Sequence, residues 1–246
     1  IEKAKEDDNI KGIYLYIASI PAGIATLEEI RNALLDFKAS PEGQAKKFIV
    51  AYSEGYSQGA YYLATVADKI YLNPEGIVDF KGLSRQVMFF KNMLSKLEIE
   101  MQIFRHGKFK SATEPFFLDK MSKENREQTS TYVSSIWNFV LAGISKQRNI
   151  PVEELNKYAD NMLITDAESA LQYKLVDQVV YKDEMLEILK ELSGAKSAHK
   201  INYVDMHKYT HAPATKDKAS TKNKIALVYA SGIIEGGEGD DETIGS

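Results

Sequence analysis

Residues 48–72 read FIVAYSEGYSQGAYYLATVADKIYL, and this stretch decides the fold class. Phe48-Ile49-Val50-Ala51-Tyr52 is a short apolar run rich in β-branched and aromatic residues, the mark of a buried strand. Gly55-Tyr56-Ser57-Gln58-Gly59 is a glycine-bounded turn, and Ala60-Tyr61-Tyr62-Leu63-Ala64 continues it as a short helix. Lys69-Ile70-Tyr71-Leu72 then returns as a strand. Two strands joined through a helix must run parallel, because a tight hairpin cannot connect them in that sense.

The same rhythm extends upstream. Gly12 to Ile17 reads as a strand and Pro21-Ala22-Gly23 as a turn. A helical pattern follows, with Leu27, Ile30, Leu34, Leu35 and Phe37 on one side, broken by Pro41 and Gly43. Downstream, Ser84 to Leu97 is helical in pattern, and Glu100-Met101-Gln102-Ile103-Phe104-Arg105 alternates like a strand. Ser122 to Arg148 reads as a long helix with Tyr132, Val133, Ile136, Phe139, Val140 and Ile144 as its apolar stripe. Ser122 and Asn125 are its candidate caps. Asp166–Tyr173 and Lys182–Leu192 are two further helices. The fold class is therefore α/β, built from βαβ units around a parallel sheet.

Residues 211–224 (HAPATKDKASTKNK) are polar and charged, the composition of an exposed linker. Lys224 to Tyr229 reads as a new strand, running into Gly232-Ile233-Ile234 and an acidic, glycine-rich stretch from Glu235 to Asp241. The expected organisation is a first domain over 1–210, a linker over 211–224, and the opening of a second domain over 225–246. The chain opens at Ile1 without a methionine, in a helical pattern, so it is expected to be a piece of a longer protein.

Composition narrows the function classes. The net charge of −4 argues against a dedicated nucleic-acid binder. The absence of cysteine excludes disulfides and thiolate zinc sites. His106, His199, His207 and His211 show no pair at metal-ligand spacing on a convincing helix, so neither metal nor cofactor is expected. No run of about 20 apolar residues, the length a membrane-crossing helix needs, is present.

Two segments carry candidate nucleophile chemistry. Gly55-Tyr56-Ser57-Gln58-Gly59 matches G-x-S-x-G in a strand–turn–helix setting, as in an α/β-hydrolase-type esterase using Ser57. That reading needs an acid and then a histidine downstream. His106 follows Ser57 too soon, and the other three histidines lie beside or inside the polar tail. The plainer reading makes Ser57 a helix N-cap in a tight turn. The second segment is Gly107-Lys108-Phe109-Lys110-Ser111-Ala112-Thr113-Glu114-Pro115-Phe116-Phe117. A free lysine has a pKa near ~10.4 and is a poor base at neutral pH. Buried among apolar groups, a lysine loses its charge more readily and can take the proton of a serine hydroxyl without a histidine. Lys110 is expected to be such a lysine, enclosed by Phe109, Phe116 and Phe117, with Glu114 opposing the effect if its carboxylate comes close. Surface lysine is the plainer alternative, since 31 residues are Lys or Arg.

Tyr56-Ser57-Gln58-Gly59-Ala60-Tyr61-Tyr62-Leu63-Ala64, Asp68-Lys69-Ile70-Tyr71-Leu72, Phe109-Lys110-Ser111-Ala112-Thr113-Glu114-Pro115-Phe116 and Asp119-Lys120-Met121-Ser122 together resemble the S49 peptidases, the signal peptide peptidase A or protease IV family in its long two-repeat form. The resemblance covers essentially the whole chain. It implies a crotonase- or ClpP-like spiral of βαβ units with additional helices, and a Ser/Lys dyad in which Lys110 is the general base. It implies that the nucleophilic serine lies in the second repeat, beyond this chain. Gln58 stands where that repeat carries its serine, and Ser57 is one residue early. Further implications are signal-peptide substrates, a homotetramer, and anchoring in the inner membrane through a segment not present here, with the catalytic body on the extracytoplasmic (periplasmic) side. An assembly module of crotonase-like fold without catalysis is the alternative outside enzymology.

Overall fold

The computed structural model describes residues 1–39 and 46–213, together with the backbone of Ile233–Glu235 and Thr243–Gly245. Two compact units divide the chain, Ile1–Asp205 and Met206–Ser246. In the first, α1 (Glu2–Glu6) precedes β1 (Gly12–Tyr16), α2 (Ile24–Lys38), β2 (Phe48–Ser53), α3 (Gln58–Ala64) and β3 (Lys69–Leu72). Then come α4 (Lys91–Lys96), α5 (Glu114–Phe117), the long α6 (Lys123–Arg148), α7 (Val152–Asp160), α8 (Ala167–Gln172), β4 (Gln178–Val179) and α9 (Lys182–Ser193). The second unit holds α10 (Met206–His211) and a parallel pair, β5 (Ile233–Glu235) with β6 (Thr243–Gly245). Lys224–Tyr229, read as a strand, and 214–224 of the expected linker lie outside the described residues.

The sheet has the order β1-β2-β3-β4, every pair parallel, so each crossover moves the chain one strand over. Gly12 to Tyr16 stand opposite Phe48 to Tyr52, and Val50 to Ser53 opposite Lys69 to Leu72. Ile49 through Ser53 are buried, as a strand covered on both faces requires. On one face Val50, Tyr52 and Tyr71 form a core with Met185 and Leu189 of α9. The alternate residues Ile49, Ala51, Ile70 and Leu72 face the other way and are equally inaccessible.

A repeated device sets the strand starts. Asp68, just before β3, accepts from the Ile49 N–H of β2 at 2.8 Å, and Asp177, just before β4, accepts from the Ile70 N–H of β3 at 2.8 Å. Arg148 at the end of α6 also donates to Asp177, at 2.9 Å. Burial pushes the Asp177 carboxyl up, but Arg148 and the Ile70 N–H outweigh it and hold it below the usual carboxylate range.

The layer of helices is joined through a buried cation. Arg31 of α2 donates to the Tyr62 carbonyl at 2.5 Å, the Thr65 hydroxyl at 2.6 Å and the Gly143 carbonyl of α6 at 2.8 Å. Its guanidinium also lies over the Tyr62 ring, 4.5 Å from the centroid. A Cβ at Gly143 would stand 2.7 Å from that ring, so α6 approaches this closely only because the residue is glycine.

Two expectations are corrected. The helix expected over Ser84–Leu97 is formed only at α4, and Glu100–Arg105 is not a strand. The chain runs without helix, turn or bend from Asp79 to Phe90 and again from Ile99 to His106. Alternating side chains make a strand only where a neighbour completes the hydrogen-bond ladder, and no described strand lies beside Glu100–Arg105.

Candidate active site

The Gly55–Gly59 turn joins β2 to α3 and is stitched to its surroundings by backbone bonds. Tyr56 N–H donates to Ile77 O and accepts through its carbonyl from Asp79 N–H, both at 2.8 Å, and Ser57 N–H donates to Ala18 O at 2.8 Å. Ser57 is the N-cap of α3, its hydroxyl accepting from Ala60 N–H at 3.4 Å. Among the described residues, no histidine or lysine is hydrogen-bonded to that hydroxyl. Ser57 therefore has its capping role and, among the described residues, none of the partners a hydrolase serine needs.

Gln58 does something the sequence reading missed. Its side-chain carbonyl accepts from the N–H groups of Lys81 (3.3 Å) and Gly82 (3.1 Å), and its amide donates to Gly82 O at 3.2 Å. Gly82 adopts φ of +87°, a conformation suited to glycine. Gln58 is thus a clamp on the chain leaving the sheet. A glutamine after a turn serine is a cue for such a clamp only once the return of residues 81–82 is known.

Lys110 sits in a tight turn, its N–H donating to Gly107 O at 3.4 Å. The aromatic enclosure expected around it is not formed by the described residues. Lys110 is exposed, Phe109 is 53% and Phe116 39% exposed, and Phe116 instead stacks on Phe90. Phe116 and Phe117, six and seven positions away, share its sequence neighbourhood, but they belong to α5, where Phe116 meets Phe90 instead. Beside Phe109 lies a shallow, open depression lined by Glu127, Gln128, Thr131, Tyr132 and Ser135 of α6.

Glu114 is the fixed point of this segment. It is fully buried, and its carboxylate faces neither water nor Lys110. It accepts from the Ser122 hydroxyl (2.5 Å), the Ser122 N–H (3.2 Å) and the Asn125 amide (2.8 Å), with the Arg105 guanidinium at 3.6 Å. Burial alone raises a carboxyl pKa; here the donors from Ser122 and Asn125, with Arg105, prevail and hold Glu114 below the usual carboxylate range. Ser122 meanwhile caps α6, accepting from Asn125 N–H at 3.1 Å. The lysine segment is thereby pinned, one turn after Lys110, to the N-terminus of the longest helix.

One further correction concerns histidine. His207 and His211 do stand four apart on a helix, α10, with ring centroids 4.7 Å apart. No third metal-ligating side chain joins them among the described residues. No described helix is long and apolar enough to cross a membrane.

Residues 42–196 match the model of peptidase family S49. The chain is 36% identical over its full length to Protease 4 of Haemophilus influenzae and 33% identical to Protease 4 of Salmonella typhi, spanning 40% of each. It is 31% identical over 99% of its length to the chloroplastic serine protease SPPA of Arabidopsis thaliana, spanning 35% of that protein. The chain thus covers about two fifths of the length of the curated relatives it matches. Its parallel α/β architecture is that of the family's ClpP-like fold. With the family model spanning well over half of its residues and relatives matching it end to end, this chain belongs to peptidase family S49.

Proposed function

We propose that this chain is part of a serine endopeptidase of the Ser/Lys dyad type and supplies Lys110 as its general base. The Lys110 amine, once desolvated, takes the proton of a serine hydroxyl as the serine oxygen attacks the scissile carbonyl carbon. The ammonium then gives that proton to the departing amine, and water hydrolyses the acyl-enzyme. The serine comes from another segment of the protein, because Ser57 is committed to capping α3 and Gln58 to clamping residues 81–82. Residues 1–210 form the first repeat in this reading and 225–246 open the second.

The observation that carries the proposal is the anchoring of the lysine segment by buried Glu114, in a chain of this family. Such pre-positioning suits a catalytic group better than a surface lysine. The substrates in this reading are released signal peptides. The assembly is a homotetramer, tied to the inner membrane with its catalytic body on the extracytoplasmic side. The test is Lys110→Ala in the full-length protein. Peptide hydrolysis is expected to fall by at least about a hundredfold, in line with loss of a general base, with the circular dichroism spectrum unchanged. Retained hydrolysis would refute the assignment.

A further inference from the structure

A side-chain carboxamide carries the same donor and acceptor as a peptide group, and Gln58 presents both to a single residue. Its oxygen accepts from Gly82 N–H at 3.1 Å while its nitrogen donates to Gly82 O at 3.2 Å. That is the two-point contact by which one peptide chain recognises another. Lys81 N–H, at 3.3 Å, adds a second donor to the same oxygen. Two successive N–H groups converging on one oxygen form a nest. Gly82 takes part with φ of +87°, and no described atom lies within 4 Å of where its Cβ would stand. Conformation, not crowding, therefore calls for glycine here.

The make-up of the nest selects its occupant. Two donors alone would suit any anion, but the Gly82 carbonyl stands beside them and needs a donor in return. A carboxylate or phosphate oxygen placed there would face that carbonyl, two acceptors with no proton between them. The Lys81 ammonium is 2.9 Å from Asp79 Oδ1, so its charge is already answered. What fits is a neutral amide, and for a chain of a peptidase family the neutral amide at hand is peptide main chain. The backbone of the neighbouring turn offers no such place, since Tyr56 N–H is paired with Ile77 O and Ser57 N–H with Ala18 O. The nest is filled by a side chain instead, which can leave by rotation about its χ angles with every backbone pairing intact.

We infer that the N–H groups of Lys81 and Gly82, with the Gly82 carbonyl, form a subsite for peptide main chain that the Gln58 side chain keeps closed from within. Gln58 is then a plug as well as a clamp: an incoming peptide must displace its carboxamide to pair with residue 82. That exchange replaces each hydrogen bond by one of the same kind, so the tether decides the outcome. Gln58 is fixed in the first turn of α3. A group tethered in this way competes at an effective concentration of at least the millimolar order, so free peptide below that range stays out. The inference stands without the Ser/Lys reading, since neither Lys110 nor a nucleophilic serine takes part.

Amide hydrogen exchange and nitrogen–proton NMR spectra of the 246-residue chain test this, with the capped, uncharged peptide acetyl-Ala-Ala-Ala-amide as probe. In the unmodified chain the probe, at about 1 mM, should leave the Lys81 and Gly82 resonances where they are. In Gln58→Ala, too short to reach residue 82, both amides should exchange at least about tenfold faster. The probe should then shift both resonances saturably and restore their protection. Gln58→Ser is also too short and suits the start of a helix, so it guards against loss of fold, which circular dichroism follows. Sodium acetate at the same concentration should shift neither amide in either variant. The inference is overturned if the probe shifts these amides in neither variant, if it shifts them equally in the unmodified chain, or if acetate serves as well as the peptide. Failure of the Ser/Lys reading shows separately, in the hydrolytic activity of Lys110→Ala.

Discussion

Glu114 ties Lys110 to the scaffold through a carboxylate with donors on every side. Its pKa is held below the unfolded value, so it contributes stability that is fully present above the unfolded range near ~4.3 and is lost as pH falls through the folded pKa. Glu114→Gln should therefore destabilise the chain at pH 7 by about 1–3 kcal/mol, the worth of hydrogen bonds to a charged group. The gap from the unmodified chain should narrow as pH is lowered below about 4. Urea unfolding at pH 7 and at pH 3.5 measures both, and an equal gap at the two pH values would reject the account. Residue identity showed that Lys110 and Glu114 belong to one segment of chemical interest. It did not show that the carboxylate is taken up by Arg105, Ser122 and Asn125, two of which are positioned by α6.

At the scale of elements, the helices hold together through few but strong contacts. Arg31 joins α2, the end of α3 and α6 by three hydrogen bonds from one buried guanidinium. Arg31→Met keeps the volume but removes three hydrogen bonds from a buried cation, leaving the Tyr62 carbonyl only the Thr65 hydroxyl of these side-chain donors, so we expect a loss of roughly 3 kcal/mol. A melting-temperature scan reads it; an unshifted transition would mean water replaces the cation there. The elements most legible from residues alone were those that bury a face inside the chain: β1 to β3, α2, α6 with its Ser122 cap, and α8 and α9. The misread ones, Ser84–Phe90 and Glu100–Arg105, carry equally clear apolar patterns but have no described neighbour to pack or pair with. Pattern states what a segment can bury; whether anything is there to bury it is a separate matter.

For the molecule as a whole, the core formed by the described residues lies within Ile1–Asp205. A chain ended after Asp205 should therefore unfold in one cooperative transition within a few degrees of the longer chain, by calorimetry. A fall of more than about 10 °C, equivalent to several kcal/mol for a domain of this size, would show that Met206–Ser246 completes the core. The α/β class, the parallel order of β1 to β3 and the family were determined by local sequence, since strand burial, turn glycines and helix caps act over a few residues. Tertiary structure alone decided that Gln58 is a clamp, that Glu114 faces α6, and that Lys110 stands exposed; the Ser57 cap is a local contact that the sequence already offered. The Gln58 clamp and the Glu114 anchor are set by partners eight or more residues away, brought close only by the packing of the sheet and α6.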